Sequence, residues 1–526
     1  MRRTSCYQAH FVTAVAALCV AMAPPTTVAA NPNAGEIRVE RYLESVRHDP
    51  NLVLAFLREM PKGGDLHNHL SGAIYAETLI DWATERDACV DPKTLYLSLQ
   101  PCGLEKSTVP VKTAYSDPVL YRSMVDAFSM RNWQLSGQSG HDHFFDSFDK
   151  FNAATHGNTG RMLAETAVRA ASQGEVYQEL MLTPGGPEFA AVVQKSPWNE
   201  NNDLVNLRET MLANGMANAV EAAIKEIDEA EAERNKILRC GSAQADPGCE
   251  VVQRYLFQVL RGMPKQVVFA QMLSGFETAM KDQRFVGLNL VMPEDYYIPM
   301  RDFPLQMRML QYLHGVYPTV HITLHAGELV EGLVPPEGLR SHIRDSIYIG
   351  HAERIGHGVD VMNETRPADL MRDMAQRKIM VEICLTSNDV ILGVRGPHHP
   401  LHAYLRAGVP VSLATDDEGV ARSDMTHEYL KGVEEQDLTY SQLKRMARTS
   451  LELAFIPGDS LWSDSSAFTL VKACTTDRGS AKPSTGCQRL LDGSQKARLQ
   501  WKLEQQFRDF EAKQWSAAPE RARAVQ

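Results

Sequence analysis

The sequence lacks several features that would point to common classes of protein. The formal net charge is −11 and the pI about 5.9, so no excess of basic residues favours binding to nucleic acid or to anionic membranes. After the N-terminal segment, no apolar stretch approaches the roughly 20 residues that span a bilayer. No Cys-x-x-Cys pair occurs, which argues against a structural zinc site made of cysteines. The sequence also shows no internal repeat.

The N-terminus carries a basic, an apolar and a small-residue segment in that order. Arg2 and Arg3 precede an apolar stretch at 11–23, and Val-Ala-Ala follows at 28–30. This order is typical of a secretory signal, and the apolar stretch is too short for a transmembrane helix. We predict that residues 1–30 are a cleaved signal peptide and that the protein is secreted or periplasmic, with no membrane anchor. An N-terminal anchor and a misassigned start are the alternatives.

Seven of the nine cysteines lie beyond this segment. Six form three couples that are close in sequence, 89/102, 240/249 and 474/487, whereas Cys384 lies alone in an apolar run. Because an oxidising compartment permits disulfides, we predict these three local bridges and a reduced Cys384. Six cysteines allow about 15 pairings, and unpaired surface thiols are the alternative.

Short apolar runs alternate with helical patterns along the chain. Strands alternating with helices predict a parallel sheet, and eight such units over about 350 residues predict an α/β fold, a (β/α)8 TIM barrel. We predict that residues 31–526 form a single domain built on this barrel. The predicted strands are 64–70, 175–182, 266–272, 285–291, 321–328, 354–359, 380–387 and 411–416.

Additions to the barrel are visible in the sequence. The segment 86–140 carries the 89/102 couple, and 184–263 carries a charged helical run followed by the 240/249 couple. Long excursions after barrel strands often build the rim of an active site. The pattern predicts a helical arm at 37–60 and further helices after residue 424, on both sides of the 474/487 couple.

Histidines and one aspartate stand at the ends of three predicted strands. His67 and His69 are two residues apart in the first strand, so their side chains point to the same face. His325 lies in the fifth strand and Asp416 ends the eighth. Three imidazoles and one carboxylate suit Zn²⁺ and leave a position for water, so we predict one zinc ion per chain.

Three further titratable residues stand at predicted strand ends: Glu328 ends the fifth strand, His357 lies near the end of the sixth, and Asp417 follows the eighth. Taken singly, such residues are more often hydrogen-bonded structural groups or helix caps. Taken together with the metal ligands, they stand at the C-terminal mouth, where barrel enzymes carry their catalytic groups. Zinc lowers the pKa of a bound water towards about 7, and these side chains would supply acid, base and orienting groups.

The segments that carry this pattern resemble the adenosine/AMP deaminase family of metal-dependent amidohydrolases. They span residues 60–417, about two-thirds of the chain, in the order of the family. The signal pattern and the inserted cysteines are most similar to the secreted branch, the adenosine deaminase-related growth factors. The matching segments are 60–72 (MPKGGDLHNHLSG), 325–328 (HAGE), 354–358 (RIGHG), 386–388 (TSN) and 412–417 (SLATDD).

The resemblance implies a role for each matching residue. Glu328 would protonate purine N1 as hydroxide attacks C6, which removes the negative charge that the attack builds on the ring. His357 would orient and deprotonate the attacking water, and Asp417 would contact the N7 edge of the purine. The metal ligands implied are His67, His69, His325 and Asp416. The substrate contacts implied are those of His69, Ser71, Met292 and Asp417.

Three residues depart from the pattern of the family. Ser71 stands near the ribose where Asp or Asn is usual, and Met292 stands where a glycine usually offers its backbone N–H to purine N3. Glu418 follows the two aspartates where proline is usual. All three lie outside the predicted metal and acid–base set, so they bear on the substrate and not on the reaction class.

The predicted function is hydrolytic deamination of adenosine, and of 2′-deoxyadenosine, to the inosine product and ammonia. The partner is a small purine nucleoside. Deamination of adenine, AMP or another modified adenosine is the alternative, although no compact basic motif at the matching loops offers a phosphate clamp. A non-enzymatic purine-binding or growth-factor-like protein would usually have lost a metal ligand or the acid, and here all of these are present. A two-metal hydrolase often uses a bridging lysine, and the fourth predicted strand has none.

Overall fold

The structure is a computed structural model that describes residues 34–104, 107–198, 203–477, 482–513 and 515. The predicted signal peptide, residues 1–30, lies outside the described residues. Within these ranges, no helix combines the length and the apolar character that crossing a membrane requires.

Eight parallel strands form one sheet in chain order. The sheet closes between the first strand and the segment after the eighth, where Asp416 N donates to His67 O (2.8 Å) and His69 N donates to Asp416 O (3.1 Å). The predicted (β/α)8 barrel is confirmed. The strands are β1 (Gly63–His69), β2 (Glu175–Leu182), β3 (Val252–Leu260), β4 (Phe285–Val291), β5 (His321–Ala326), β6 (Arg354–His357), β7 (Met380–Ile383) and β8 (Val411–Leu413).

One of the predicted strands is wrong. The apolar run 266–272 lies inside the helix Lys265–Lys281, whose central residues are nearly all buried. The third strand is instead β3, in which Gln253, Arg254 and Gln258 interrupt the apolar residues. A helix buried on most sides gives the same short apolar run as a buried strand, and periodicity cannot separate the two.

The carboxyl ends of β5 to β8 come two to four residues earlier than predicted, and that of β1 comes one residue earlier. After β7, for example, the chain turns directly into the helix Leu385–Leu392. The residues beyond these ends leave the strand conformation and bend over the mouth of the barrel. His357, the last residue of β6, and Asp416, which lies beyond β8, have φ of +65° and +60°, a conformation that is rare outside glycine and found at functional sites.

Helices surround the barrel and form the additions at both ends of the chain. Two helices precede β1, four follow it, and three follow β2. In order, these nine are Ala34–Val46, Pro50–Glu59, Ala76–Glu85, Pro118–Ala127, Gly140–Thr155, Thr159–Gln173, Pro187–Lys195, Leu204–Ala213 and Met216–Ile237. From β3 to β8 the helices are Lys265–Lys281, Tyr297–Val316, His342–Tyr348, Pro367–Arg377, Leu385–Leu392 and Leu401–Ala407. After β8 they are Glu418–Ala421, Met425–Glu434, Tyr440–Leu453, Thr485–Gly493 and Gln495–Ala512.

Two small antiparallel sheets and several 3-10 turns complete the additions. One sheet joins Cys89–Val90 to Leu97–Ser98 and Val109–Pro110, and the other pairs Trp462–Asp464 with Thr469–Leu470. The 3-10 turns are Val111–Tyr115, Trp133–Leu135, Pro247–Glu250, Pro336–Leu339, Val361–Asn363, Gly396–His398 and Lys472–Asp477.

The disulfide prediction is confirmed. Cys89 pairs with Cys102, Cys240 with Cys249, and Cys474 with Cys487, while Cys384 is a buried free thiol. Each bridge closes a short loop in one of the additions to the barrel. Cross-linking such loops removes conformational freedom from the unfolded chain, so the bridges stabilise segments with small cores of their own.

The N-terminal and C-terminal helices meet on the outside of the barrel. Lys444, on the helix Tyr440–Leu453, donates to Glu36 Oε2 (2.9 Å) and to Glu511 Oε1 (2.5 Å). Lys444 and Glu511 are buried, so the ammonium group shares its charge with carboxylates from both ends of the chain. Breaking such a buried pair on one side would leave an uncompensated charge.

The helix Gly140–Thr155 crosses the mouth of the barrel. It begins after Ser139, whose hydroxyl accepts from Asp142 N at 3.0 Å. Gly140 permits close contact with the helix Leu385–Leu392, because a Cβ there would lie 1.9 Å from Val390 O. One face of the helix is buried, and the opposite face looks into the cavity at the mouth.

Candidate metal and active site

Three histidine side chains meet at the carboxyl end of the barrel with their Nε2 atoms facing one another. His325 Nε2 lies 3.0 Å from His67 Nε2 and 3.1 Å from His69 Nε2. His67 and His325 are buried, and the side chain of His69 is 12% exposed on the cavity side. The strands β1 and β5 stand on opposite sides of the barrel and bring the three rings together.

The other nitrogen of each ring donates to a side-chain oxygen. The bonds run from His67 Nδ1 to Glu382 Oε2 (2.7 Å), His69 Nδ1 to Gln258 Oε1 (2.9 Å) and His325 Nδ1 to Asn289 Oδ1 (2.9 Å). Asn289 Oδ1 also accepts from the backbone N–H of His325 (2.9 Å), which fixes the orientation of that amide. With hydrogen on Nδ1, each ring directs an Nε2 lone pair at the same point, as in metal sites.

Asp416 completes the set of four donors. Its Oδ1 lies 3.4 Å from His67 Nε2 and 3.3 Å from His69 Nε2, and the side chain is buried. Zinc bonds of about 2.0–2.1 Å in tetrahedral geometry separate neighbouring ligand atoms by about 3.3–3.4 Å. The observed separations of 3.0–3.4 Å match this value, so the residues present fit a zinc ion.

Glu328 lies in the cavity beside these donors. Burial, together with the charge of Asp416, raises the pKa of the Glu328 carboxyl well above its usual range. Its backbone N–H donates to Glu294 Oε2 (2.9 Å), and Gly327 N donates to Glu294 Oε1 (3.2 Å). The backbone of this turn is therefore fixed by the buried carboxylate of Glu294, and the carboxyl group of Glu328, with its raised pKa, lines the cavity.

His357 faces Glu328 across the cavity. The two side chains are 3.7 Å apart, from His357 Nε2 to Glu328 Oε1. Burial lowers the pKa of His357 to about 3, so the imidazole is neutral. Its Nδ1 is hydrogen bonded to Asn388 Nδ2 at 3.0 Å, whereas its buried Nε2 finds no hydrogen-bond partner among the described residues.

Asp417 also lines the cavity. Its side chain is buried, and Oδ1 has no hydrogen-bond partner in the described part of the chain. The carboxylate occupies space that only a glycine at position 72 leaves open. A Cβ on Gly72 would come within 1.7 Å of Asp417 Oδ1.

The two predicted substrate contacts that depart from the family line the same cavity. Ser71 follows β1, and Met292 follows β4 with φ of +84°, a conformation that favours glycine. Arg261, which is fully buried, donates from Nε to Met292 O (2.9 Å) and from Nη1 to His325 O (3.1 Å). The backbone at Met292 therefore keeps the shape expected for glycine although it carries a side chain.

The third departure, Glu418, points away from the cavity. Its buried carboxylate accepts from Arg169 Nη1 (2.9 Å) and from Gln173 Nε2 (3.3 Å), on the helix Thr159–Gln173. Arg169 also donates to Ala73 O (2.8 Å), in the turn after β1. Glu418 therefore joins a helix of the barrel wall to the site loops, and it makes no contact with the cavity.

The cavity has a volume of about 660 Å³, within the range of small-molecule sites. Phe145, Phe148 and Tyr296 form an aromatic part of its wall. Among the described residues that line it, none is lysine or arginine. Three aspartates, spaced four and three residues apart on the helix Gly140–Thr155, stand at its rim: Asp142, Asp146 and Asp149.

The two sides of the mouth are joined by one ion pair. His141, on the helix Gly140–Thr155, lies 2.9 Å from Asp295 Oδ1 on the loop after β4, measured from Nε2. Another cavity, of about 730 Å³, lies at the opposite end of the barrel around His314 and Lys496. It contains none of the predicted site residues, so the chemistry lies at the mouth.

All the residues predicted for the site converge at this mouth. The buried partners that orient them are not predictable from the sequence, since polar residues in a strand give no signal of their own. Gln258 and Asn289 lie in β3 and β4, and Glu382 lies in β7, so only the register of the barrel brings them to the histidines. The missed residues are Gln258, Arg261, Asn289, Glu294, Glu382 and His399.

Comparisons of the sequence with known proteins identify one family. A family model described as adenosine deaminase matches residues 122–462, more than half of the chain. An adenosine deaminase from Shigella flexneri serotype 5b is 26% identical over 398 residues, which are 75% of this chain and 94% of that protein. An adenosine deaminase from Salmonella schwarzengrund is 39% identical over 140 residues, which are 26% of this chain and 39% of that protein. A crystal structure of adenine deaminase from Arthrobacter aurescens has a TM-score of 0.48 at 18% identity, covering 76% of this chain and 94% of that chain.

Proposed function

This chain belongs to the adenosine deaminase family, and from that premise we propose that it hydrolyses adenosine and 2′-deoxyadenosine to their inosine products and ammonia, with one zinc ion per chain. As a member of this family it is a hydrolytic aminohydrolase. One observation carries the proposal. The Nε2 atoms of three imidazoles and the Asp416 carboxylate converge on one point, beside Glu328, whose pKa is raised by burial, in a cavity large enough for a nucleoside.

The metal would be held by His67, His69, His325 and Asp416. When bound there, zinc would lower the pKa of a water in the cavity and make hydroxide available near neutral pH. The chain supplies the remaining requirements, since it fixes the tautomers of the ligands and encloses the reacting atoms.

Glu328 carries the proton that the ring needs. Attack on C6 places negative charge on the purine, and transfer of the Glu328 proton to N1 neutralises it. One proton of the attacking water then restores Glu328, and the other goes to the leaving amino group. The C6–N bond breaks, ammonia leaves, and the product keeps the proton on N1 and the oxygen on C6.

The purine and the ribose would be held by the rest of the cavity. Asp417 would donate a hydrogen bond to purine N7, which has only a lone pair, because burial raises the pKa of the Asp417 carboxyl to about 8. Met292 stands beside the predicted position of N3, and Ser71 beside that of the ribose, by their resemblance to family positions. The aromatic residues Phe145 and Phe148 would cover the substrate from the side of the helix Gly140–Thr155.

The charge of the cavity supports a nucleoside over a nucleotide. A phosphate group is usually recognised by arginine or lysine, and neither lines the cavity in the described part of the chain. The carboxylate of Asp149 at the rim would repel a 5′-phosphate, whereas Asp146 and Asp142 are paired with Lys150 and His141. AMP is therefore the weaker candidate.

We also propose that the mature protein, residues 31–526, is one domain and is secreted or periplasmic. Three disulfides support an oxidising compartment, since such bridges are rare in the cytosol. The contact of Lys444 with both terminal helices supports one folded unit. Expression with and without residues 1–30, followed by N-terminal sequencing of the exported protein, tests the cleavage.

The function is tested by a panel of adenosine, 2′-deoxyadenosine, adenine and AMP. Purified protein is supplied with zinc, and the release of ammonia is followed for each compound. We expect the two nucleosides to give the highest kcat/KM. Ammonia from none of the four would contradict the proposed function, and a preference for AMP or adenine would favour the alternative substrate.

A further inference from the structure

A chain of hydrogen bonds runs from a backbone amide to the imidazole of His357. Leu401 N donates to His399 Nδ1 (3.2 Å), and His399 Nε2 lies 3.0 Å from Asn388 Oδ1. Asn388 Nδ2 lies 3.0 Å from His357 Nδ1. The side chains of His357, Asn388 and His399 are almost completely buried, so water does not compete for these contacts.

The hydrogen bond from Leu401 N to His399 Nδ1 determines which atom donates in each of the other hydrogen bonds. A backbone N–H can only donate, so His399 Nδ1 must carry a lone pair, and a neutral His399 then carries its hydrogen on Nε2. That hydrogen requires an acceptor, which places the oxygen of Asn388 towards His399. The NH₂ group of Asn388 therefore faces His357 and donates to Nδ1.

His357 is left with one possible neutral tautomer. Since its Nδ1 accepts from Asn388, its hydrogen lies on Nε2, the atom that faces Glu328 and the cavity. The opposite tautomer would bring two hydrogens face to face at Asn388. Turning the amide of Asn388 would only move that conflict to His399, because His399 is fixed by Leu401 N.

We propose that Asn388 and His399 are positioning residues that hold His357 as an Nε2–H donor. In the deamination reaction, on which this step rests, His357 then donates a hydrogen bond to the oxygen that attacks C6 and does not remove its proton. This differs from the role of base that the family resemblance implies for His357. The proton of the water goes to Glu328, which has lost its own proton to N1.

The substitution Asn388→Asp tests this directly, because aspartate has nearly the same shape as asparagine but can only accept the hydrogen bond with His357 Nδ1. A carboxylate accepts from both rings, so His357 would carry its hydrogen on Nδ1 and present a lone pair to the cavity. We expect kcat with adenosine to fall about 10²–10³-fold, the usual cost of losing one donor to an oxyanion. KM, bound zinc and the melting temperature should stay close to those of the unchanged protein.

The two variants His399→Phe and His398→Phe replace neighbouring histidines by the same residue, and only the first removes the hydrogen bond to Asn388. His398 is exposed next to the buried His399, so only His399→Phe frees Asn388 to rotate and should lower kcat. If Asn388→Asp keeps or raises kcat, His357 acts as a base and the proposal is wrong.

Neutron diffraction on the zinc-loaded protein after exchange into D₂O gives a readout that does not depend on activity or on any variant. We expect deuterium on His357 Nε2 and none on Nδ1. Deuterium on Nδ1 alone would overturn the proposal. A protein that deaminates none of the purines would contradict the proposed function, while the neutron map would still decide the tautomer.

Discussion

Gly356 lies directly against the imidazole of His67. A Cβ at position 356 would come within 2.5 Å of His67 Cε1 and 2.9 Å of Nδ1, closer than such atoms approach in proteins. The ring cannot retreat without losing the hydrogen bond from Nδ1 to Glu382. The absence of a side chain at Gly356 thus leaves the space that the imidazole of His67, a proposed metal ligand, occupies.

We therefore expect Gly356→Ala to weaken zinc binding while the barrel stays folded. Displaced or misoriented ligands typically lose about 10–100-fold in metal affinity. Gly315→Ala is the control, because a Cβ at Gly315 meets nothing within 4 Å. Zinc content after dialysis and activity at limiting zinc measure the effect, and equal values for the two variants would show that the site tolerates the methyl group.

Met292 gives a second prediction, because its φ of +84° favours glycine. Met292→Gly removes this strain at the expense of a partly buried side chain, so the free energy of unfolding should change by less than about 1 kcal/mol. Met292→Val places a β-branched residue in the same conformation and should cost about 1–3 kcal/mol. Urea denaturation of both variants measures the difference, and equal stability would contradict the strained backbone.

The barrel was predictable because its strands alternate with helices, and seven of the eight strands lie where the sequence indicates. The third strand was not predictable, because β3 contains polar residues and the helix that follows it contains an apolar run. The helix Lys265–Lys281 is buried on most sides and forms an apolar run, whereas β3 carries Gln253, Arg254 and Gln258. Gln258 orients His69, and its polar side chain interrupts the apolar pattern that would have predicted a strand.

The metal-binding residues at the strand ends were likewise predictable, whereas the buried residues that form hydrogen bonds with them were not. A histidine next to another histidine on one strand face is visible in a sequence, as for His67 and His69. The pairing of His67 with Glu382, or of His357 with Asn388, depends on which strands and loops meet in space. Such contacts join residues far apart in the chain, and no local pattern records them.

The acidic rim gives a prediction about substrate preference. Of the three aspartates at the rim, Asp142 and Asp149 are exposed and Asp146 is partly buried. Asp149→Lys should raise kcat/KM for AMP relative to adenosine by about 2–10-fold at low salt, and the effect should shrink as salt screens the charge. Glu229→Lys, an exposed charge change away from the cavity, is the control. An unchanged ratio would mean that the rim does not sense the 5′ group.

The ion pair across the mouth predicts a dependence on pH. Burial opposes protonation of His141, but Asp295 and Asp142 outweigh it and raise the pKa of His141. A raised pKa in the folded state means that the stabilisation is complete below the usual value of about 6.5 and is lost as pH rises through the folded pKa. His141→Gln should therefore destabilise the protein by about 1 kcal/mol at pH 6 and by less at pH 9. Melting curves at both pH values check this, and a deficit that is equal at the two would contradict it.

We propose that metal binding and proton donation reside in different side chains of one site. The most direct test measures bound zinc and adenosine turnover side by side for Glu328→Gln and His325→Ala. Glu328→Gln should keep zinc at full occupancy and lose about 10²–10⁴-fold or more in kcat, because an amide cannot protonate N1. His325→Ala removes a ligand and should lose zinc and turnover together. Loss of zinc in Glu328→Gln, or near-normal turnover with zinc retained, would contradict the account.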